Sequence, residues 1–183
     1  MNRRNVFSYL AALLAVFLLG CGAALALRAY DQRLDAPAPL SGGKALDLSA
    51  FGFTLRVPQE FTLHDTTPAT SPSDGGALFS GCAEGGDQAL YLYCYKNDQG
   101  DSIDGYTEQE LVTYYMSAGC ADVRTRELGG RRFICYSAQA EVDGETQTWR
   151  CYETWDASTQ LVFETRMAAK DTLAILATIE FVE

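Results

Sequence analysis

The chain has 183 residues, with 14 Lys+Arg against 24 Asp+Glu, a formal charge of -10, one His and six Cys. That length suits one domain plus an appendage and argues against a multidomain enzyme. Net acidity without a basic run excludes a binder of phosphate backbones, which needs clustered Lys/Arg to release counterions, so nucleic acid is not an expected partner.

From Val6 to Leu27 the chain reads VFSYLAALLAVFLLGCGAALAL, 22 uncharged residues preceded by Arg3 and Arg4. About 20 apolar residues suffice for a membrane-spanning helix, and arginines on the short leading flank hold that flank in the cytoplasm. Residues 1–27 are therefore expected to be a signal peptide or a transmembrane anchor, with the rest of the chain on the extracytoplasmic side. Three fates fit the residues. The span can remain uncut as an anchor. Leu18-Leu19-Gly20-Cys21 resembles a lipobox, in which cleavage before Cys21 leaves that cysteine as the lipidation site. Ala24-Leu25-Ala26 is a small-x-small site at which cleavage would release the domain. Arg3-Arg4 is read as ordinary leader charge, because Val6 stands where a twin-arginine signal has Phe.

Residues 28–49 combine charges, Pro37, Pro39 and Gly42-Gly43, a composition that buries little apolar surface and reads as a flexible tether. The domain is expected over 50–183. FGFTLRVP (51–58) alternates Phe51, Phe53, Leu55 and Val57 with small or polar residues, which predicts a strand ended by Pro58. HDTTPATSPSDGG (64–76) reads as a loop. ALFSGC and ALYLYCYK, separated by AEGGDQ, predict a hairpin. KNDQGDSIDG reads as a second loop. Thr107 and Glu110 have the spacing of a capping box, so a helix should begin there with Leu111, Val112, Tyr115, Met116 and Ala118 on its apolar side and Gly119 at its end. ADVRTREL, RRFICYSAQAEV and ETQTWRCYETW follow as a meander turned at Gly129-Gly130 and Asp143-Gly144, dipeptides suited to turns with positive φ. LVFETRM is a fourth strand, and DTLAILAT predicts a closing helix with Leu173, Leu176 and Ala177 on one side. The order implies an α+β fold, a mostly antiparallel sheet with a helix on at least one face and a C-terminal helix.

Five cysteines lie in the expected outer domain, Cys82, Cys94, Cys120, Cys135 and Cys151. In an oxidising compartment they are disulfide candidates, and their odd number leaves at least one unpaired; in a thiol-poor setting all five can pack as small hydrophobes. No C-x-x-C occurs, so neither a thioredoxin-type motif nor the usual zinc spacing is present.

The remaining polar residues are weaker signals. His64 has only Asp65 beside it and no triad, and it reads as a loop residue. Asp98, Asp101 and Asp104 fail the calcium-loop spacing and read as a solvated turn, with a calcium or small-ligand sensor as the alternative. Cys120 falls at a helix C-terminus, where the dipole disfavours thiolate. Tyr91, Tyr93 and Tyr95 alternate on one strand and share a face, which makes them the candidate partner-binding residues, with Phe79 expected beside them. The alternative is that a helix or the tether covers that face. Trp149 and Trp155, also at even spacing, are expected in the core.

The strand FGFTLRVPQEF, the helix TEQELVTYYMSAG, the strand LGGRRFICYSAQAEVDGE and the closing helix before IEF resemble the PsbP-like fold of extracytoplasmic proteins, which includes small bacterial lipoproteins. That resemblance spans roughly residues 50–183. It implies an accessory or binding module and brings no catalytic residue, metal or cofactor with it. The resulting expectation is a membrane-tethered, non-catalytic accessory or binding module that binds an envelope component, an envelope protein among them, or supports a membrane complex, with a thiol-redox or other enzyme built from distant residues as the alternative.

Overall fold

The computed structural model describes residues 40–67, 76–142 and 144–182. The expected membrane segment, the lipidation candidate Cys21, residues 28–39 of the expected tether, most of the 64–76 loop and Asp143 lie outside them. Among the described residues no helix is long and apolar enough to cross a membrane.

The first strand, β1 (Lys44–Leu48), lies inside the stretch expected to be tether. KALDL alternates, so Leu46 and Leu48 both point into the core and pair antiparallel with Leu55 and Phe53 of β2 (Phe53–Val57). The proline- and glycine-rich composition before it masked a short amphipathic strand. A two-residue β10 (Glu180–Phe181) joins the other edge of β2, which completes a three-stranded sheet.

The larger sheet has seven antiparallel strands in the order β3-β4-β5-β9-β8-β7-β6. Its strands are β3 (Thr62–Asp65), β4 (Ala77–Gly85), β5 (Gln88–Lys96), β6 (Ala121–Leu128), β7 (Arg131–Val142), β8 (Glu145–Trp155) and β9 (Thr159–Thr165). Thr62–Asp65, partly assigned to a loop by its turn-rich continuation, is an edge strand against β4. The β4–β5 hairpin turns through Gly86-Asp87 alone, so both strands are longer than expected and most of AEGGDQ is sheet. After β5 the chain crosses one face as helix α1 (Glu108–Ser117), enters the meander β6-β7-β8, and returns as β9 to pair with β5. The meander turn at Gly129-Gly130 has φ of 58° and 77°, the left-handed values expected of those glycines.

The core lies on one face of the large sheet. Leu90, Leu92, Cys94, Phe133, Tyr152, Leu161 and Phe163 meet β1, β2 and helix α2 (Ala169–Leu176), which contributes Leu173, Ile175 and Leu176. Phe53 meets Phe163 edge-on at 5.8 Å, which joins the two sheets. Full burial of each such side chain is worth about 1.5–3 kcal/mol, which makes this face the main source of stability. Tertiary structure is thus α+β and mostly antiparallel, with a closing helix in the core.

Helix α1 begins as its sequence predicts. Thr107 Oγ1 accepts from the Glu110 amide at 3.3 Å, and Glu110 Oε2 accepts from the Thr107 amide at 2.8 Å. Gly119, at φ 89°, ends it. Its buried stripe is narrower than the periodicity predicted. Leu111 is buried against Ile103 and Ile134 and Tyr115 half-buried, whereas Met116 is 61% exposed and Ala118 faces solvent. The helix packs chiefly along β6, at the sheet's edge, so one side of its first two turns is enough to seat it.

Candidate functional site

Strand alternation assigns the other sheet face. Register places Tyr91 opposite Glu164, Glu164 opposite Cys151, and Cys151 opposite Tyr136. The next row runs Tyr93, Val162, Glu153, Ile134, and the next Tyr95, Gln160, Trp155. Tyr91, Tyr93 and Tyr95 therefore share one face as predicted, each half-buried. Tyr93 and Tyr95 stack with centroids 6.1 Å apart, and Tyr91 stands edge-on to Trp149 at 5.6 Å. Phe79 is not beside them. A register shift between Ala77 and Phe79 sets Phe79 opposite Cys94 and turns it into the core against Phe51 at 4.7 Å, the face reversal a one-residue bulge produces.

Two carboxylates occupy this tyrosine-rich face. Glu153 is buried and accepts on both oxygens: Oε2 from Tyr115 Oη at 2.8 Å and Tyr136 Oη at 3.3 Å, Oε1 from Gln160 Nε2. All three donors are neutral, and among the described residues no Lys, Arg or His forms an ion pair with it. Burial, and then the charge of Glu153, push the Glu164 carboxyl above its ordinary value. Burial and then Glu164 raise Tyr93 to about 12. Burial and then Glu153 raise Tyr115 and Tyr136 as well, so both hydroxyls remain donors.

Beneath α1 this face opens into a cleft of about 470 Å³. It is lined by Glu153 and Trp155 of β8, Gln160 of β9, Leu111, Tyr114 and Tyr115 of α1, and Tyr106, with Asn97, Gln99, Asp101 and Glu110 completing the lining. Tyr106 and Trp155 form one tilted corner at 6.1 Å, Tyr114 and Tyr115 another at 5.4 Å. Tyr106 Oη donates to Asp101 Oδ2, which holds that carboxyl below its usual range, and the capping box does the same for Glu110. Arg132 Nη1 donates to the Tyr106 carbonyl at 2.6 Å without lining the cleft. The turn beneath is held by Asp156, whose Oδ1 accepts from the Ser158 and Thr159 amides at 2.8 and 2.9 Å and whose Oδ2 meets Arg131 at 2.9 Å. Asn97 Nδ2 bridges the Asp156 carbonyl at 2.6 Å and the Asp101 carbonyl at 2.8 Å, tying the 97–101 loop to that turn. A second cleft of about 610 Å³ has the opposite character, with Arg124, Arg126 and Arg150 beside Tyr152 and Cys135.

Among the described residues all five disulfide candidates, Cys82, Cys94, Cys120, Cys135 and Cys151, are free thiols. Alternation explains four of them. Cys82 and Cys151 lie on the open face, whereas Cys94 and Cys135 lie in the core. The same-face pairs are three strands apart, roughly 14 Å at about 4.8 Å per strand, beyond the reach of a disulfide. Burial raises the thiol of Cys94 to about 11 and those of Cys135 and Cys151 to about 12. Cys120, at the end of α1, is half-buried, and burial followed by Glu153 raises it too.

Other expectations change with the fold. Trp149 and Trp155 are half-buried on the open face, because β8 presents Trp149, Cys151, Glu153 and Trp155 on the side away from the core. His64 sits on the edge strand β3 with Glu84 at 3.4 Å. Asp98 pairs with Lys96 at 2.6 Å and Asp101 is taken by Tyr106, so the acids of the 96–105 loop face separate partners. Among the described residues no three His, Cys, Asp or Glu converge as a metal site. The cleft residues Glu153, Tyr106, Tyr114 and Gln160 were not singled out in the sequence, and Tyr115 was read only as part of the apolar side of the helix. One signal was available, a Glu between two Trp on the same face of ETQTWRCYETW.

No protein-family model matches the chain, and no curated protein does. Solved structures do match its fold. The solution structure of cyanobacterial PsbP (CyanoP) from Synechocystis is 9% identical with a TM-score of 0.52, over 79% of this chain and 96% of that one. A crystal structure from Bacteroides thetaiotaomicron is 14% identical with a TM-score of 0.50, over 78% of this chain and 50% of that one. This chain thus spans half the length of the Bacteroides structure. The domain has the PsbP-like fold its sequence resembles.

Proposed function

We propose that this protein is a non-catalytic binding module held on the extracytoplasmic side of a membrane by its N-terminal segment, and that it captures its partner on the open face of the large sheet. The observation that carries the reading is the cleft beside α1, lined by four aromatic rings and a buried carboxylate. Aromatic side chains in a concave site offer large contact area at small entropy cost, and a few placed polar groups set orientation. The apolar run from Val6 to Leu27 behind Arg3 and Arg4 supports the tethered address. An envelope protein is the partner that such an address makes available. Thiols raised by burial supply little thiolate at neutral pH, which favours binding over thiol chemistry.

Two measurements test this reading. A C-terminal reporter active only outside the cytoplasm should report the domain there, in a membrane fraction. A photocrosslinking residue replacing Tyr114, which is 68% exposed on the cleft wall, should capture an envelope component in cells. The same residue replacing Lys170, exposed on α2, should not. A cytoplasmic domain, or equal crosslinking from both positions, would overturn the reading.

A further inference from the structure

We infer that the cleft under α1 is a site for a small organic cation of the alkylammonium class, held by the rings of Tyr106, Tyr114, Tyr115 and Trp155 above the Glu153 carboxylate. This inference rests on the reading above that the cleft is a binding site, and gives that cleft a small ligand in addition to the protein partner. The walls attract positive charge in two ways. Ring faces carry negative quadrupole density, which draws a weakly hydrated cation within about 6 Å of the ring. Glu153 is a buried lining residue with only neutral donors on it, and the carboxylates of Asp101 and Glu110 also line the cleft. Among the described residues no Lys, Arg or His lines the cleft.

Size and ligand chemistry narrow the choice. A volume of about 470 Å³ falls in the range of small-molecule sites. A hard metal ion takes six or more oxygens, and among the described residues no three acids converge to offer them. Four of the lining residues, Tyr106, Tyr114, Tyr115 and Trp155, present aromatic rings, which suit an alkylated ammonium better than a strongly hydrated ion. The Glu153 oxygens already accept three hydrogen bonds, so a quaternary ammonium, which has no N–H to donate, finds its charge matched without a further donor. A zwitterionic lipid headgroup fits less well, because its phosphate would meet Asp101 and Glu110.

The test is a titration of the full chain in nonionic detergent, followed by tryptophan fluorescence and thermal shift. Choline is the probe and 3,3-dimethyl-1-butanol, its uncharged carbon analogue, is the control. Choline should saturate the signal in the millimolar range or below and raise the melting temperature, and the neutral analogue should bind about tenfold more weakly, the effect of about 1.4 kcal/mol of cation attraction. Glu153→Gln should weaken choline at least as much. Tyr114→Ala, at an exposed position that leaves the fold intact, should weaken it severalfold and keeps the inference testable if Glu153→Gln destabilises the protein. Equal binding of choline and the neutral analogue, no binding of choline, or choline binding unchanged in both variants would each overturn it. If choline fails while Tyr114 still crosslinks an envelope protein, the ligand class falls and the binding reading stands.

Discussion

Asp156 is the residue whose removal the structure prices most directly. It sits at the turn between β8 and β9, next to Trp155 of the cleft, and Ser158, Thr159 and Arg131 all bond its carboxylate. Burial alone would raise its pKa, but these donors and the Arg131 guanidinium hold it at about 2, against an ordinary value of 3.8. Taken at face value that depression is worth about 2.5 kcal/mol at neutral pH. The side chain is 37% exposed, so screening reduces this to roughly 1–1.5 kcal/mol. Because the folded value is depressed, the stabilisation is complete above about pH 4 and is lost as pH falls through about 2. Asp156→Asn should therefore be destabilised by roughly 1–1.5 kcal/mol at pH 7 in urea unfolding followed by Trp fluorescence. About two-thirds of the gap to wild type should have closed by about pH 2.5. A gap of the same size at both pH values, or none at pH 7, would refute the assignment of this turn's stability to the Asp156 charge.

Four further outcomes follow from other parts of the fold. In the native protein a thiol-alkylating reagent should modify Cys120, slowly and faster at higher pH, and leave Cys82, Cys94, Cys135 and Cys151 until urea is added; peptide mass spectrometry reads the order, and equal labelling of all five would count against the burial of those four. Gly129→Ala should cost about 2 kcal/mol or more, because a Cβ there would overlap the Ile179 carbonyl as well as force a left-handed residue. Gly130→Ala, left-handed but with open space around its Cβ, should cost about 1 kcal/mol, and equal costs would rule out the clash. Thr107→Ala should lower stability by about 1 kcal/mol and reduce helical circular dichroism by fraying the start of α1. Phe163→Ala, at 1% exposure and against Phe53 and Phe133, should cost about 3–5 kcal/mol in the same urea assay; a loss under 1 kcal/mol would place the main core elsewhere.

Most individual elements were legible in the chain, because their signals are local. The capping box at Thr107 and Glu110, the Gly129-Gly130 turn and the strands β7 and β8 depend on residues a few positions apart, and all appear where the local pattern put them. Alternation also predicted that Tyr91, Tyr93 and Tyr95 share a face. It did not predict which face each strand buries. Trp149 and Trp155 share the open face with Glu153 because β8 is flanked by β7 and β9 in a particular register, and that register depends on partners far along the chain. β1 was missed because five residues of alternation inside a charged, proline-containing stretch carry little signal until Leu46 and Leu48 find β2.

The sequence by itself determined an α+β domain of antiparallel strands with one capped helix and one closing helix, since periodicity and capping are properties of neighbouring residues. Tertiary structure alone decided the cleft. Its lining comes from the loop after β5, from α1 and from β8 and β9, segments up to about 60 residues apart that meet because β9 returns to pair with β5 while α1 packs along β6 at the far edge of the sheet. The same long-range pairing separated the cysteines: strand order, not cysteine count, set which sulfurs could reach one another.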